Sequence, residues 1–132
     1  MCLQGASAVQ SVLEEIQDPR IRVFAVWEPV LYTDWTAPTT SVLSRLHDRR
    51  AAQYWDRRLL LSRKIKEAVA SEPAHGLGAV AAQSKVVWDV VMIYPKGIRW
   101  EGTFPSPAFA DGPVVSVIDS FRQQLRRMTN DE

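Results

Sequence analysis

Residues 86–94 constrain this chain most. They read Val-Val-Trp-Asp-Val-Val-Met-Ile-Tyr, with eight of the nine apolar or aromatic. The run is too short to span a membrane and too apolar for a strand with one wet face. It predicts a strand in the middle of a sheet, covered on both faces. Asp89 is its single charge. Pro95-Lys96-Gly97 supplies a turn, and Ile98-Arg99-Trp100 is expected to return as a short antiparallel neighbour.

A chain of 132 residues suits one domain, expected over residues 1–132, with volume enough for a core. The 16 Lys and Arg nearly balance the 15 Asp and Glu. No bulk attraction to nucleic acid or to an anionic membrane follows from that balance. Cys2 is the only cysteine, so no internal disulfide can form. No basic segment followed by an apolar run opens the chain, and the expected location is the cytoplasm.

Near the start, Ala6, Val9, Leu13 and Ile16 recur at steps of three and four, with Val12 beside them. That spacing predicts a helix, ended by Asp18-Pro19. In residues 21–27 only Arg22 interrupts an apolar run, which predicts a second buried strand. Residues 28–38 read as an irregular link carrying Tyr32, Asp34 and Trp35. Thr39, Thr40 and Ser41 offer caps for a short helix with Val42, Leu43 and Leu46.

Residues 51–55 are expected to continue helically. Asp56 is a candidate cap for a further helix with Leu60, Leu61, Ile65, Ala68 and Val69 on its apolar side. Residues 71–85 read as a loop, and residues 102–112 as a second irregular link. Gly112-Pro113 opens the last helix, proline being tolerated at its first position. In it Val114, Ile118, Phe121, Leu125 and Met128 form the cleanest apolar stripe of the chain. The order is helix, strand, helical region, strand, strand, helix. One strand added in front makes it the thioredoxin order.

Several pieces carry that likeness further. They are Cys2-x-x-Gly5-Ala6, the run from Arg22 through Val23-Phe24-Ala25-Val26-Trp27-Glu28-Pro29-Val30 to Leu31, then Asp34-Trp35, Tyr54-Trp55-Asp56, Trp88-Asp89-Val90 and Arg99-Trp100. With these the chain resembles a group of uncharacterised bacterial thioredoxin-like proteins. The resemblance implies an α/β fold: a three-layer α/β/α sandwich on a mixed sheet, here without its first strand. It implies a thiol-disulfide redox protein in which Cys2 stands where the second cysteine of a Cys-x-x-Cys pair would be. It also implies protein thiols or a reductase as partners, and no cofactor.

Two departures are visible. The first strand and the first cysteine are missing, and Gln83-Ser84-Lys85 holds no proline where redox members of the family place a cis-proline. Two readings account for the missing strand: a start site set too far downstream, or a shortened fold that forms a homodimer through its uncovered edge.

Cys2 alone cannot complete a dithiol cycle, although a helix start favours its thiolate. It is the candidate catalytic residue, and a terminal cysteine without a role is the plain alternative. Catalysis is therefore expected to be impaired or absent. The alternative function is a non-catalytic interaction module that self-associates through an exposed sheet edge.

His47 and His75 lie in separate polar segments and read as surface residues, with no metal-ligand spacing around them. Asp89 reads as a structural acid, paired with an arginine or near a strand end. Glu28 and Asp34 are weaker candidates for an acid near a cleft. Of the five tryptophans, Trp27 and Trp88 are expected in the core and Trp35 at the margin of a groove. The basic run from Arg57 to Lys66 reads as a solvated helix face.

Overall fold

A computed structural model describes residues 3–30 and 36–131. The described chain is mixed α/β, with five helices and two small sheets, and it divides into two compact units, residues 1–58 and 59–132.

In the first unit, α1 spans Leu3–Glu15, as its apolar spacing predicts. It buries Gly5, Gln10, Val12 and Leu13, and Ile16 just beyond its end is buried too. Strand β1 is Val23–Trp27, within the predicted run. Helix α2 is the short Thr40–Leu43, and the Thr39 side chain accepts from the Val42 N–H as its cap.

Strand β2 is Ala51–Trp55, where the sequence predicts helix. Two alanines at its head favour helix locally, but a parallel partner is at hand and the ladder prevails. Val23 pairs with Ala51 and Trp27 with Trp55. The Val23 N–H donates to the Arg50 carbonyl at 3.0 Å, and the Asp56 N–H to the Trp27 carbonyl at 2.8 Å. Asp56 thus extends the ladder instead of capping the next helix.

One guanidinium ties this unit together. Arg50 donates to the carbonyls of Leu13 (2.5 Å), Ile16 (2.6 Å) and Asp18 (3.0 Å). Those carbonyls lie where α1 ends and would otherwise lack helical partners. At the other side, the buried Gln10 accepts from the N–H groups of His47 and Asp48 at 2.9 and 3.0 Å. These long-range bonds link α1 to the turn before β2.

The second unit opens with α3, Leu60–Ser71, entered through Leu59 in the left-handed conformation at φ 58°. Ile65 and Ala68 are buried as predicted, whereas Leu60 is exposed. Helix α4, Gly78–Ala81, interrupts the expected loop. Its core holds Ile65, Leu77, Val80, Ala81 and Val87, with Leu61, Val69, Val90, Met92, Phe104 and Ala110 against them.

The long apolar run yields a short strand, β3, Val91–Ile93, and its antiparallel partner is β4, Phe109–Asp111. The predicted hairpin with residues 98–100 does not form. Ile98 and Trp100 remain about half exposed, and only an isolated bridge between Glu101 and Thr103 lies beside them. Residues 86–88 lie outside the strand, because the buried Ser62 hydroxyl takes the Val87 N–H at 3.0 Å. Trp88, expected in the core, is exposed.

Helix α5, Val114–Asn130, contacts both β3 and β4. Val114, Phe121 and Leu125 of its stripe are buried, and Ile118 and Met128 half-buried. Pro113 is its cap residue, one place earlier than expected, and follows Gly112 through a cis peptide bond. The ribbons around residues 21–27 and 86–94 do not pair with each other: β1 bonds β2 in one sheet, and β3 bonds β4 in another.

Candidate interaction surface

The β1–β2 ladder decides what this surface is. Strand side chains alternate, so one face carries Val23, Ala25 and Trp27, and the other carries Phe24 and Val26. Trp27 is buried, and its indole N–H donates to the Gln53 side chain at 2.9 Å. Gln53 in turn donates to the carbonyls of Leu43 and Leu46 at 2.9 and 2.8 Å. This inner face is therefore held in part by a polar chain.

The other face is open. Phe24 is 68% exposed, Tyr54 54% and Val26 38%. Phe24 stacks on Tyr54 with ring centroids 6.5 Å apart, and Val26 stands in register with Tyr54. Arg22 is exposed on the same face, held in place by bonds to the Pro19 and Ile21 carbonyls. The patch is thus an ordered apolar surface with a cation at one end.

The edge of β1 is also open among the described residues. In a parallel ladder, alternate residues turn both backbone groups toward the partner strand. The ladder bonds of Val23 and Trp27 place odd-numbered residues toward β2. Phe24 and Val26 therefore turn their N–H and C=O groups away from it. A parallel pair with an uncovered apolar face is rare in folded proteins, which cover both faces and extend the sheet. Strand β1 contains no charge, proline or glycine that would blunt its edge.

The acid and base groups found from sequence do other work. Asp89 lies before β3 with φ 53°, and its carboxylate accepts from the Val114 N–H at 3.1 Å. It caps α5 and is a structural acid, as expected, but no arginine pairs with it in the described bonds. Gly112 belongs to the same junction, where a Cβ would collide with the Asp89 carbonyl oxygen. His47 is exposed, with its ring near the Ser44 carbonyl and the Gln10 amide.

His75 corrects the expectation of a surface histidine, since it is buried. Its Nδ1 accepts from the Leu77 N–H, so Nε2 carries the proton and donates to the Phe104 carbonyl at 3.0 Å. Beside it the Gly76 N–H donates to Ser106 Oγ at 2.8 Å. The Tyr94 hydroxyl donates to the Pro105 carbonyl at 2.8 Å, and burial pushes its pKa up to about 12. Together they strap residues 104–106 down, which is a structural task.

Glu28 is buried just past β1. Cys2, Tyr32, Asp34 and Trp35 lie outside the described residues. Among the described residues no group of His, Cys, Asp and Glu is arranged to hold a metal ion. No described helix is long and apolar enough to cross a membrane.

Two open hollows of about 410 and 430 Å³ dent the surface. The first is lined by Arg22, Arg49 and Arg50, but Arg22 and Arg50 already donate to backbone carbonyls and, for Arg50, to Asp48. Neither hollow gathers groups for acid-base or nucleophilic chemistry. An uncovered sheet edge was expected from sequence, but the aromatic face beside it was not. A run read as buried on both faces conceals which face lacks a cover. No protein-family model, no curated protein and no solved structure matches this chain.

Proposed function

We propose that this chain is a protein-interaction module that associates with another chain through β1 and the face beside it. One observation carries the reading. Phe24, Val26 and Tyr54 form an ordered apolar face on a two-stranded parallel sheet whose β1 edge turns outward. Burying such a face is the main favourable term in protein association, and an open edge supplies main-chain partners. The resemblance of the sequence to thioredoxin-like proteins supports the same reading, because that arrangement sets one more strand beside residues 21–27. A homodimer follows if the added strand comes from a second copy.

Light scattering at micromolar concentration tests this. The expected result is a dimer, and Phe24→Glu should return it to a monomer without changing the circular dichroism. A clean monomer across that range rejects self-association.

The second reading is a thiol-redox protein of thioredoxin-like type working in the cytoplasm, with Cys2 as its candidate catalytic residue and protein thiols or a reductase as partners. The placement of Cys2 in sequence, next to the start of α1 at Leu3, favours it. A lone thiol can form mixed disulfides but cannot close a dithiol cycle. Insulin reduction with a dithiol donor separates the readings. Turnover above background that is lost in Cys2→Ala supports redox function, and background rates in both chains leave the interaction module.

A further inference from the structure

We propose that the hollow lined by Arg22 and Arg49 binds a dianionic phosphate group, as carried by a small phosphate monoester. The inference does not rest on the interaction reading above.

This hollow, of about 410 Å³, opens where α1 ends and β1 and β2 begin. Gln17, Pro19, Arg22, Asp48, Arg49 and Arg50 line it, so three guanidinium groups stand against one carboxylate. Both Asp48 oxygens accept from Arg50, which brings that pair to neutrality. The surplus charge belongs to Arg22 and Arg49.

Arg50 has no donor left for a ligand. Its N–H groups go to Asp48 and to the carbonyls of Leu13, Ile16 and Asp18. Those bonds matter here, because bare carbonyls at the end of α1 would repel an anion. Gln17 adds no donor either, since its amide nitrogen donates to the Leu13 and Glu14 carbonyls.

Arg22 differs. Its Nη1 donates to the Pro19 and Ile21 carbonyls at 2.7 and 2.9 Å. A guanidinium holds its five N–H groups in one rigid plane, so these bonds orient the whole group and leave Nε and Nη2 to donate elsewhere. The same Nε–Nη2 edge of Arg50 already grips a carboxylate, Asp48, through two bonds. Nε and Nη2 of Arg22 and the whole of Arg49 take no part in the described hydrogen bonds. Arg49 also stands near enough to Asp48 for its charge to help hold that carboxyl low.

Two such forks offer more donors than one carboxylate can accept. A phosphate dianion presents three strong acceptor oxygens and two charges, which suits a pair of arginines. Both side chains are exposed, so water competes and the dissociation constant should be on the order of 1 mM.

Inorganic phosphate is the first probe, titrated at constant ionic strength and followed by ¹H–¹⁵N NMR shifts of residues 17–22 and 48–50. The parent chain should give a saturating curve that chloride does not reproduce. Arg49→Gln and Arg22→Gln should each weaken binding about tenfold, as expected for lost charge-assisted bonds. Arg49 makes no described bond, so its removal tests the site without disturbing the fold. Arg45→Gln removes an exposed arginine outside the hollow and should leave the curve unchanged. Glycerol phosphate should bind at least as tightly as inorganic phosphate. A linear response, or one that chloride reproduces, is screening alone and overturns the site. Equal affinity in the parent and Arg49→Gln overturns it as well. Weaker binding of glycerol phosphate overturns the monoester assignment.

Discussion

Arg50 grips Asp48 through two bonds, Nε to Oδ1 at 2.9 Å and Nη2 to Oδ2 at 2.8 Å. Both side chains are nearly buried, and the remaining guanidinium N–H groups go to the carbonyls that end α1. One residue thus closes the helix end, orients the turn before β2 and places its own carbonyl under the Val23 N–H. The open ladder depends on this arrangement.

Arg50→Ala should be the most destabilising single change in the first unit. It removes the guanidinium bonds to the Asp48 carboxylate and to the carbonyls of Leu13, Ile16 and Asp18, at a cost of about 3 kcal/mol. Arg50→Lys should recover only part of this, since an ammonium cannot span the carboxylate and the helix end together. Urea unfolding of the three chains measures the order.

The same pair predicts a pH dependence. Hydrogen bonding from Arg50 is the largest cause holding the Asp48 carboxyl down at about 2. Hydrogen bonding from Arg20 does the same for Asp18, also to about 2, on the exposed surface. The unfolded value for aspartate is about 3.9. A depressed folded value contributes stability that is complete above the unfolded value and lost as pH falls through the folded one. Stability should therefore be level near neutrality and fall between roughly pH 4 and pH 2. Asp48→Asn should be less stable at pH 7 and lose less on acidification, as followed by urea midpoints across that range.

Asp89 has two duties that substitution can separate. Its carboxylate caps α5, and its backbone sits at positive φ. Asn retains a capping oxygen and tolerates that conformation, so Asp89→Asn should stay within about 0.5 kcal/mol of the parent. Ala fails both requirements, and Asp89→Ala should cost about 2 kcal/mol. A thermal melt monitored by helix signal distinguishes them.

Ser62 tests the core of the second unit. Its buried hydroxyl accepts from the Val87 N–H. Ser62→Ala strands that N–H without opening a large cavity, at a cost of about 1–3 kcal/mol. Hydrogen exchange at the Val87 N–H should quicken by more than that at the Ala108 N–H, which donates to the Ile93 carbonyl.

Sequence by itself determined the helices whose apolar residues recur every three or four places. Leu13 and Ile16 mark α1, Ile65 and Ala68 mark α3, and Phe121 and Leu125 mark α5. A helix satisfies its own backbone, so its signal is local. It also determined β1, because residues 21–27 carry one polar break in an apolar run.

Strand partners were decided only by tertiary structure. A strand needs another chain segment for its hydrogen bonds, and nothing within Ala51–Trp55 announces that β1 lies beside it. The same applies to Val91–Ile93, which takes Phe109–Asp111 instead of the nearer residues 98–100. The open face of Phe24, Val26 and Tyr54 was hidden for the same reason. Hydrophobicity records what a residue would bury, whereas the fold alone records what has been left for another chain to cover.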